Sequence, residues 1–405
     1  MRTITLTELE KKTVNDEDGR DFTRADMLAV LRQIGEYIDV GFSIAGYELK
    51  PKGYVGHFPI SDDLFVIITP KVHIANLFRM LEYAFDLKSF KILPGDAHIE
   101  TIEELFERFA SILAQRVLLR VNKGLYCSYF VETDSLPFVR GRIRIAPTLR
   151  NAARGATKLC CSYEDHSYDV DDNRILFWTL YCLRRLSFKP GKAQQQVRLA
   201  YRALLGSVTL EQIDPSECLS RSYHRLNDDY QVMHRLCGLL LRHLGPGLHE
   251  GETHLLPFRV YMPTLFELFV FRWLKEHLEQ RTPEIEVISK QEAHMESSFE
   301  LKYEMDIALL DRQTGDMLAI LDTKYKKDKV PGRDDLHQVA IYAKLAHCSY
   351  AILVYPSIDS EPQEVHFEGV TIRSLVFDIG NQDLGGEAFL RDLYHVINKD
   401  FEAST

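Results

Sequence analysis

Two runs decide how this chain is read: Tyr303-Glu304-Met305-Asp306-Ile307-Ala308-Leu309-Leu310 and Met317-Leu318-Ala319-Ile320-Leu321-Asp322-Thr323-Lys324-Tyr325-Lys326. Both are apolar and strand-compatible, and the polar break between them carries Thr314-Gly315-Asp316, which predicts an antiparallel hairpin. Each run holds acid where a buried strand disfavours it. Side chains alternate with period two along a strand, so Asp322 and Lys324 share a side.

Two carboxylates about 4 Å apart repel by roughly 4 kcal/mol at an effective dielectric of ~20, so such a pair needs a cation or a raised pKa. A hard divalent ion with oxygen ligands resolves the conflict, Mg²⁺ foremost, with Mn²⁺ as a substitute. In this reading Asp306 and Asp322 hold the metal together with the Thr323 carbonyl. Lys324 orients the attacking water and steadies charge developing on a phosphate. The pattern points to metal-dependent phosphodiester hydrolysis. A surface ion pair explains the same Asp-x-Lys triplet when it stands alone, so the surrounding sequence has to carry weight.

At 405 residues with 45% hydrophobic content, the chain is long enough for two or more domains with real cores. No run approaches the ~18 apolar residues of a membrane span. The Met1-Arg2-Thr3 start has no apolar signal region. The expectation is a soluble cytoplasmic protein with no membrane partner. The seven cysteines are odd in number and lack CxxC spacing, which suits neither a zinc knuckle nor a disulfide framework. The formal charge of −10 argues against nucleic-acid binding over the whole surface. Locally, however, residues 323–333 carry five bases (Lys324, Lys326, Lys327, Lys329, Arg333) against one acid, Asp328. This is either a basic rim beside the acidic site or a solvated loop.

Residues 1–72 read as a small mixed module, with a strand at 4–6, a helix over 24–37 and a hairpin of 54–60 with 64–69. Helical spacing follows over 73–85 and 102–120, then strands over 125–131 and 138–145. Arg140, Arg142 and Arg144 alternate with Gly141 and Ile143, so on a strand the three guanidinium groups would share one face. Such a row grips phosphate or carboxylate, from nucleic acid, a partner's nucleotide or an acidic partner surface; a solvated strand face is the plain alternative. Asp172 and Asn173 open a helix to about residue 185 and read as its capping residues. Helices follow over 193–205 and 226–244, and residues 245–251, Gly- and Pro-rich, mark a boundary.

The helix over 261–274 is apolar nearly all round and should be buried. Glu267 on it is then either a third metal-site acid or half of a capping box, Thr264-x-x-Glu267. After a strand at 284–289 and the central hairpin comes a helix over 334–346, where Gln338 and Tyr342 fall on one face. They would meet DNA phosphate, support Lys324, or simply form a polar face. Strands at 350–355 and 370–377 and a helix at 388–397 complete an α/β layer arrangement.

The C-terminal half resembles PD-(D/E)xK nucleases: Glu267, Asp306, Asp322-Thr323-Lys324 and Gln338-x-x-x-Tyr342 stand in the expected order, with Met305 where the signature proline would precede the aspartate. More closely, five segments look like the McrC-type subunit of McrBC-like restriction systems. They are Asn76-Leu77-Phe78-Arg79-Met80-Leu81-Glu82-Tyr83-Ala84, Gly141-Arg142-Ile143, Asp172-Asn173-Arg174-Ile175-Leu176, Leu265-Phe266-Glu267-Leu268-Phe269-Val270 and Ile320-Leu321-Asp322-Thr323-Lys324-Tyr325-Lys326. The likeness spans roughly residues 73–400, leaving the first 72 beyond the shorter members.

The resemblance implies a restriction-endonuclease-like domain, a mixed central sheet flanked by helices, over 251–405. An α+β partner-docking region over 73–250 and an N-terminal β-rich module over 1–72 would precede it. It implies an Mg²⁺-dependent DNA endonuclease subunit with Asp306, Asp322 and Lys324 catalytic. The partner would be a hexameric AAA+ GTPase, McrB-like, which binds the GTP, recognises the double-stranded DNA with its modified cytosine, and is stimulated by this chain. One rival reading is an activator of a partner NTPase, with Arg140, Arg142 or Arg144 reaching the nucleotide. Another is a stand-alone repair nuclease.

Overall fold

The computed structural model describes residues 2–14, 22–44, 46–61, 63–72, 74–87, 101–186, 191–243, 258–295, 301–326, 331–356, 363–379 and 384–397. In chain order the elements are β1 (Arg2–Thr7), β2 (Lys12–Val14), α1 (Arg24–Ile34), β3 (Ile38–Ser43), β4 (Gly46–Pro51), β5 (Tyr54–Pro59), β6 (Leu64–Thr69), α2 (Ile74–Ala84) and α3 (Ile102–Lys123). Next come β7 (Ser128–Leu136), β8 (Arg142–Ile143), α4 (Ile145–Ala153), β9 (Leu159–Ser167), α5 (Asp171–Arg184), α6 (Lys192–Leu204) and α7 (Tyr230–His243). The remainder is β10 (Arg259–Tyr261), α8 (Met262–Arg281), β11 (Ile285–Met295), β12 (Leu301–Asp311), β13 (Met317–Thr323), α9 (Arg333–Leu345), β14 (Tyr350–Tyr355), β15 (Glu364–Phe367), β16 (Val370–Val376) and α10 (Leu384–Ile397). The architecture is mixed α/β with several sheets. No helix among the described residues is long and apolar enough to cross a membrane.

The chain divides into two compact units, one of residues 1–105 with 257–405 and the other of 106–256. The Gly- and Pro-rich stretch 245–251 lies outside the described residues.

In the first unit, one sheet runs β1-β6-β5-β10 and a smaller one β2-β4-β3. β5 and β6 form the expected hairpin, and β10 adds to β5 in antiparallel register, Val260 opposite Val55. Leu6, Val30, Ile34, Ile38, Leu49, Phe58 and Val66 fill the space between α1 and these strands. α1 starts on a capping box: Thr23 Oγ1 accepts from the Asp26 N–H at 3.2 Å and Asp26 Oδ2 accepts from the Thr23 N–H at 2.8 Å. Arg2 grips the same carboxylate at 2.8 and 2.9 Å and holds it down at about 2.

The same unit carries a six-stranded mixed sheet, β11-β12-β13-β14-β16-β15. β11, β12 and β13 are antiparallel, β13, β14 and β16 run parallel, and β15 closes the edge antiparallel to β16. Parallel β13 and β14 need a crossover, and α9 supplies it. The β12–β13 turn follows from its residues: Asp311 Oδ1 accepts from the N–H groups of Gln313 and Thr314, and Gly315 takes φ +78°. α8 begins at Met262 with Tyr261 at its N-cap and no side-chain cap bond. Pro263 sets that start, so Thr264 lies inside the helix and the Thr264-x-x-Glu267 capping box does not form.

In the second unit, the sheet β7-β9-β8 is accompanied by α4, and α5 packs against α6 and α7. The expected capping role of Asp172 and Asn173 is overturned. The α5 N-cap is Val170, without a side-chain cap bond, and both residues are buried within the first turn, where Asp172 remains an acid at the positive end of the helix dipole. Asn173 Nδ2 donates to the carbonyls of Tyr126 and Tyr168 at 2.8 and 2.7 Å, while its Oδ1 accepts from Tyr230 OH at 2.7 Å. Asp172 meets Arg221 at 2.9 Å and Asn227 at 3.2 Å. A buried Asp–Asn pair is tolerated because its polar atoms find these partners.

Candidate active site

Residues of three elements converge on one side of the six-stranded sheet. β12 and β13 pair with Ile307 opposite Leu321, which sets Asp306 across from Asp322. Ile320, two residues before Asp322 and hence on its face, packs against Val339, Ala340, Tyr342 and Ala343 of α9. That face is apolar at its centre and acidic at its end.

Asp306 is half-buried, and its Oδ2 accepts from the backbone N–H of Thr323 at 2.8 Å and from Thr323 Oγ1 at 2.9 Å. Asp322 is only 2% exposed, and its Oδ2 lies 2.6 Å from Lys324 Nζ. Burial, and then the charge of Asp306, push the Asp322 carboxyl up to about 6 against the opposing pull of Lys324. For Lys324 the balance tips the other way. Burial works against its charge, but Asp322 outweighs it and the ammonium stays above its ordinary range.

Lys324 Nζ also donates to Gln338 Oε1 at 3.0 Å, and Gln338 Nε2 donates to Tyr342 OH at 2.6 Å, so α9 holds the lysine from above. Glu267 is half-buried on α8, not enclosed, next to Phe266. Among the described residues no three His, Cys, Asp or Glu side chains are grouped to hold a metal, so Glu267 does not complete a cluster with Asp306 and Asp322. Of the basic rim, Lys324, Lys326 and Arg333 are described; Lys327, Asp328 and Lys329 lie outside the described residues.

In the other unit, the row of three arginines does not form. β8 is two residues long, and Gly141 breaks the alternation with φ +66°, where a Cβ would sit 2.5 Å from the Ser162 carbonyl oxygen. Arg140 instead lies over the Tyr163 ring at 4.0 Å and pairs with Asp165 at 3.0 Å. Arg142 stays on β8, and Arg144 becomes the N-cap of α4. Around them Tyr129, Val131, Phe138, Val139, Ile145 and Leu149 are all more than half exposed.

A family model described as the McrBC 5-methylcytosine restriction system component matches residues 49–356. The chain belongs to this family. A curated relative of this McrBC family member is the type IV methyl-directed restriction enzyme EcoKMcrBC of Escherichia coli (strain K12). It is 22% identical over 313 residues, covering 72% of this chain and 88% of the relative. Among solved structures, the chain is similar to one from the refined half-complex of the tetradecameric assembly of Thermococcus gammatolerans McrB AAA+ hexamers with bound McrC. The TM-score is 0.62 at 19% identity, over 98% of this chain and 100% of that one. A second likeness, to the Thermococcus gammatolerans McrBC complex, covers 68% of this chain and 88% of the other with a TM-score of 0.47 and 20% identity.

Two residues of this McrBC family member's site escaped sequence reading. Asp335, buried in the first turn of α9, takes Lys326 Nζ at 2.9 Å and stands 3.9 Å from Lys324 Nζ. No local signal marks it, since an acid in the first turn of a helix is ordinary and only its burial in the fold is not. Glu8 meets Tyr325 OH at 2.7 Å from 317 positions away, and no local pattern announces that.

Proposed function

We propose that this chain is the DNA-cutting subunit of an McrBC-type restriction complex, and that its six-stranded sheet with α8 and α9 is a PD-(D/E)xK nuclease. The observation that carries the reading is the convergence of Asp306, Asp322 and Lys324 on one face of β12 and β13, with Asp322 enclosed and Lys324 2.6 Å away. An Asp322 carboxyl pushed up to about 6 beside a second carboxylate marks a place where a cation is wanted.

The donor set suits Mg²⁺: two carboxylates and the Thr323 carbonyl are hard oxygens. An ion that keeps several waters and takes phosphate oxygens needs no third protein acid. When bound, the ion polarises the scissile phosphate and lowers the pKa of a water. The protein's own residues do the rest. Asp306, fixed by two bonds from Thr323, presents its other oxygen at a set angle. Lys324, kept charged by Asp322, offers its ammonium to the attacking water and to charge growing on the phosphate. Gln338 and Tyr342 keep that ammonium from swinging away.

The partner we infer is a hexameric AAA+ GTPase, which binds GTP and selects double-stranded DNA carrying modified cytosine; this chain stimulates its hydrolysis. The exposed apolar side chains on and between β7, β8 and α4, in the same stretch of chain as Arg142, Arg144 and Arg150, support a docking role for the second unit, because so many large apolar groups left in water within one stretch favour burial against a partner. Arg142 and Arg144 are the candidates for touching the partner or its nucleotide; Arg140 is held by Asp165 and Tyr163.

The test is cleavage of cytosine-methylated plasmid by the purified chain, alone and with an McrB-type GTPase partner, in Mg²⁺ and in chelator. Cutting that needs partner, GTP and Mg²⁺ together is expected. Full cutting by the chain alone would replace this reading with a stand-alone nuclease.

A further inference from the structure

Glu8 follows β1 in a turn and is 0% exposed. One of its oxygens, Oε1, accepts from the Lys71 N–H at 2.8 Å and from Tyr325 OH at 2.7 Å. The other, Oε2, is buried without a hydrogen-bond partner. A buried carboxylate with an unsatisfied oxygen costs free energy that an apolar residue of similar size would not, so stability alone does not account for it.

What Glu8 holds is the turn that carries the lysines. At the end of β13 the Lys324 N–H donates to the Val354 carbonyl at 2.8 Å, and the Lys326 N–H folds back to the Lys324 carbonyl at 2.9 Å. The middle side chain, Tyr325, is buried with its ring 5.8 Å from that of Phe266 and its hydroxyl on Glu8. Lys324 and Lys326 leave the turn toward Asp322 and Asp335. Two fixed points on Tyr325, ring and hydroxyl, fix the rotation of the turn and so the aim of both ammonium groups.

We propose that Glu8 is a positioning residue of the nuclease: by pinning Tyr325 it sets Lys324 and Lys326, and it makes the sheet of β1, β6, β5 and β10 a working part of the cutting site. This rests on the nuclease reading above and gives the first 72 residues a role in it. A misaimed catalytic group is costly even when the shift is small, on the order of 100-fold for 1 Å.

Tyr325→Phe keeps the ring on Phe266 and removes only the hydroxyl, and Glu8→Leu removes the acceptor. In the complex reconstituted with its GTPase, each is expected to lower the cutting kcat roughly 10–100-fold, leaving KM for DNA and GTPase stimulation unchanged. The double variant should be no worse than the poorer single, and Glu8→Gln, whose amide oxygen still accepts from Tyr325, should recover most of what Glu8→Leu loses. Wild-type kcat in Tyr325→Phe, or losses that multiply in the double variant, would overturn the proposal. If Glu8→Leu does not fold, Tyr325→Phe decides alone. Hydrogen exchange over residues 322–326, measured on the same full-length proteins, reads the clamp without any cutting. Faster exchange in Tyr325→Phe supports it and unchanged exchange overturns it, even if the wild-type complex proves not to cut and the nuclease reading falls.

Discussion

At the scale of single residues, the site is a contest over two charges. Asp322 is enclosed and pressed by Asp306, Lys324 is drawn in by Asp322, and Gln338 supplies the lysine with a neutral acceptor at 3.0 Å. Removing that acceptor leaves Asp322 and Lys324 in place and loosens only their geometry. Gln338→Ala is therefore expected to slow cutting roughly 10–100-fold, the range found when a partner one layer out from a metal site is lost, with DNA retention unchanged in a filter-binding assay. Weakened DNA binding at full turnover would instead make Gln338 a phosphate contact. The Asp-x-Lys pair and the Gln338–Tyr342 spacing were readable from the chain because each lies within one element, where period fixes direction. Asp335 was not, because its burial depends on Lys326 arriving from another element.

At the scale of elements, local chemistry succeeded where a turn or strand decides its own shape. The β12–β13 hairpin follows from Asp311 and Gly315, whose geometry needs nothing distant. It failed where one residue breaks a period: Gly141 interrupts the arginine row just before β8, and Pro263 moves the start of α8 ahead of Thr264. It also failed at α5, since Asp172 and Asn173 look like caps until Arg221, Asn227 and Tyr230 reach them from about 50 residues on. His234 completes that packing. Its Nε2 lies 2.9 Å from the Asp172 carbonyl, to which it donates, and its Nδ1 lies 2.9 Å from Tyr223 OH, from which it accepts. Burial holds this imidazole down at about 4, from an ordinary 6.5, with the Asp172 bond opposing. Because the folded value is the lower, the unfolded chain binds the extra proton first. Stability is complete above about 6.5 and is lost as pH falls through about 4, by on the order of 3 kcal/mol. Urea midpoints of wild type and His234→Gln between pH 7.5 and 4 check this; the variant should lose much of the slope, and an unchanged slope would acquit His234.

At the scale of the whole molecule, the features that mattered most join distant stretches. β10 closes onto β5 across some 200 positions, and Glu8 reaches Tyr325 across 317. Neither leaves a mark in composition or periodicity, since each is a single register or a single bond selected by tertiary packing. The family likeness begins at residue 49, past Glu8, so it too is silent on that contact. What the chain did disclose, the acidic hairpin and the lysine after it, is the part to which the proposed function assigns the cutting. The most direct measurement is the Lys324→Ala variant assembled with its GTPase and given methylated DNA, GTP and Mg²⁺. Assembly and stimulated GTP hydrolysis should persist while cleavage disappears; cleavage at the wild-type rate would contradict the assignment of Asp306, Asp322 and Lys324 as the cutting centre.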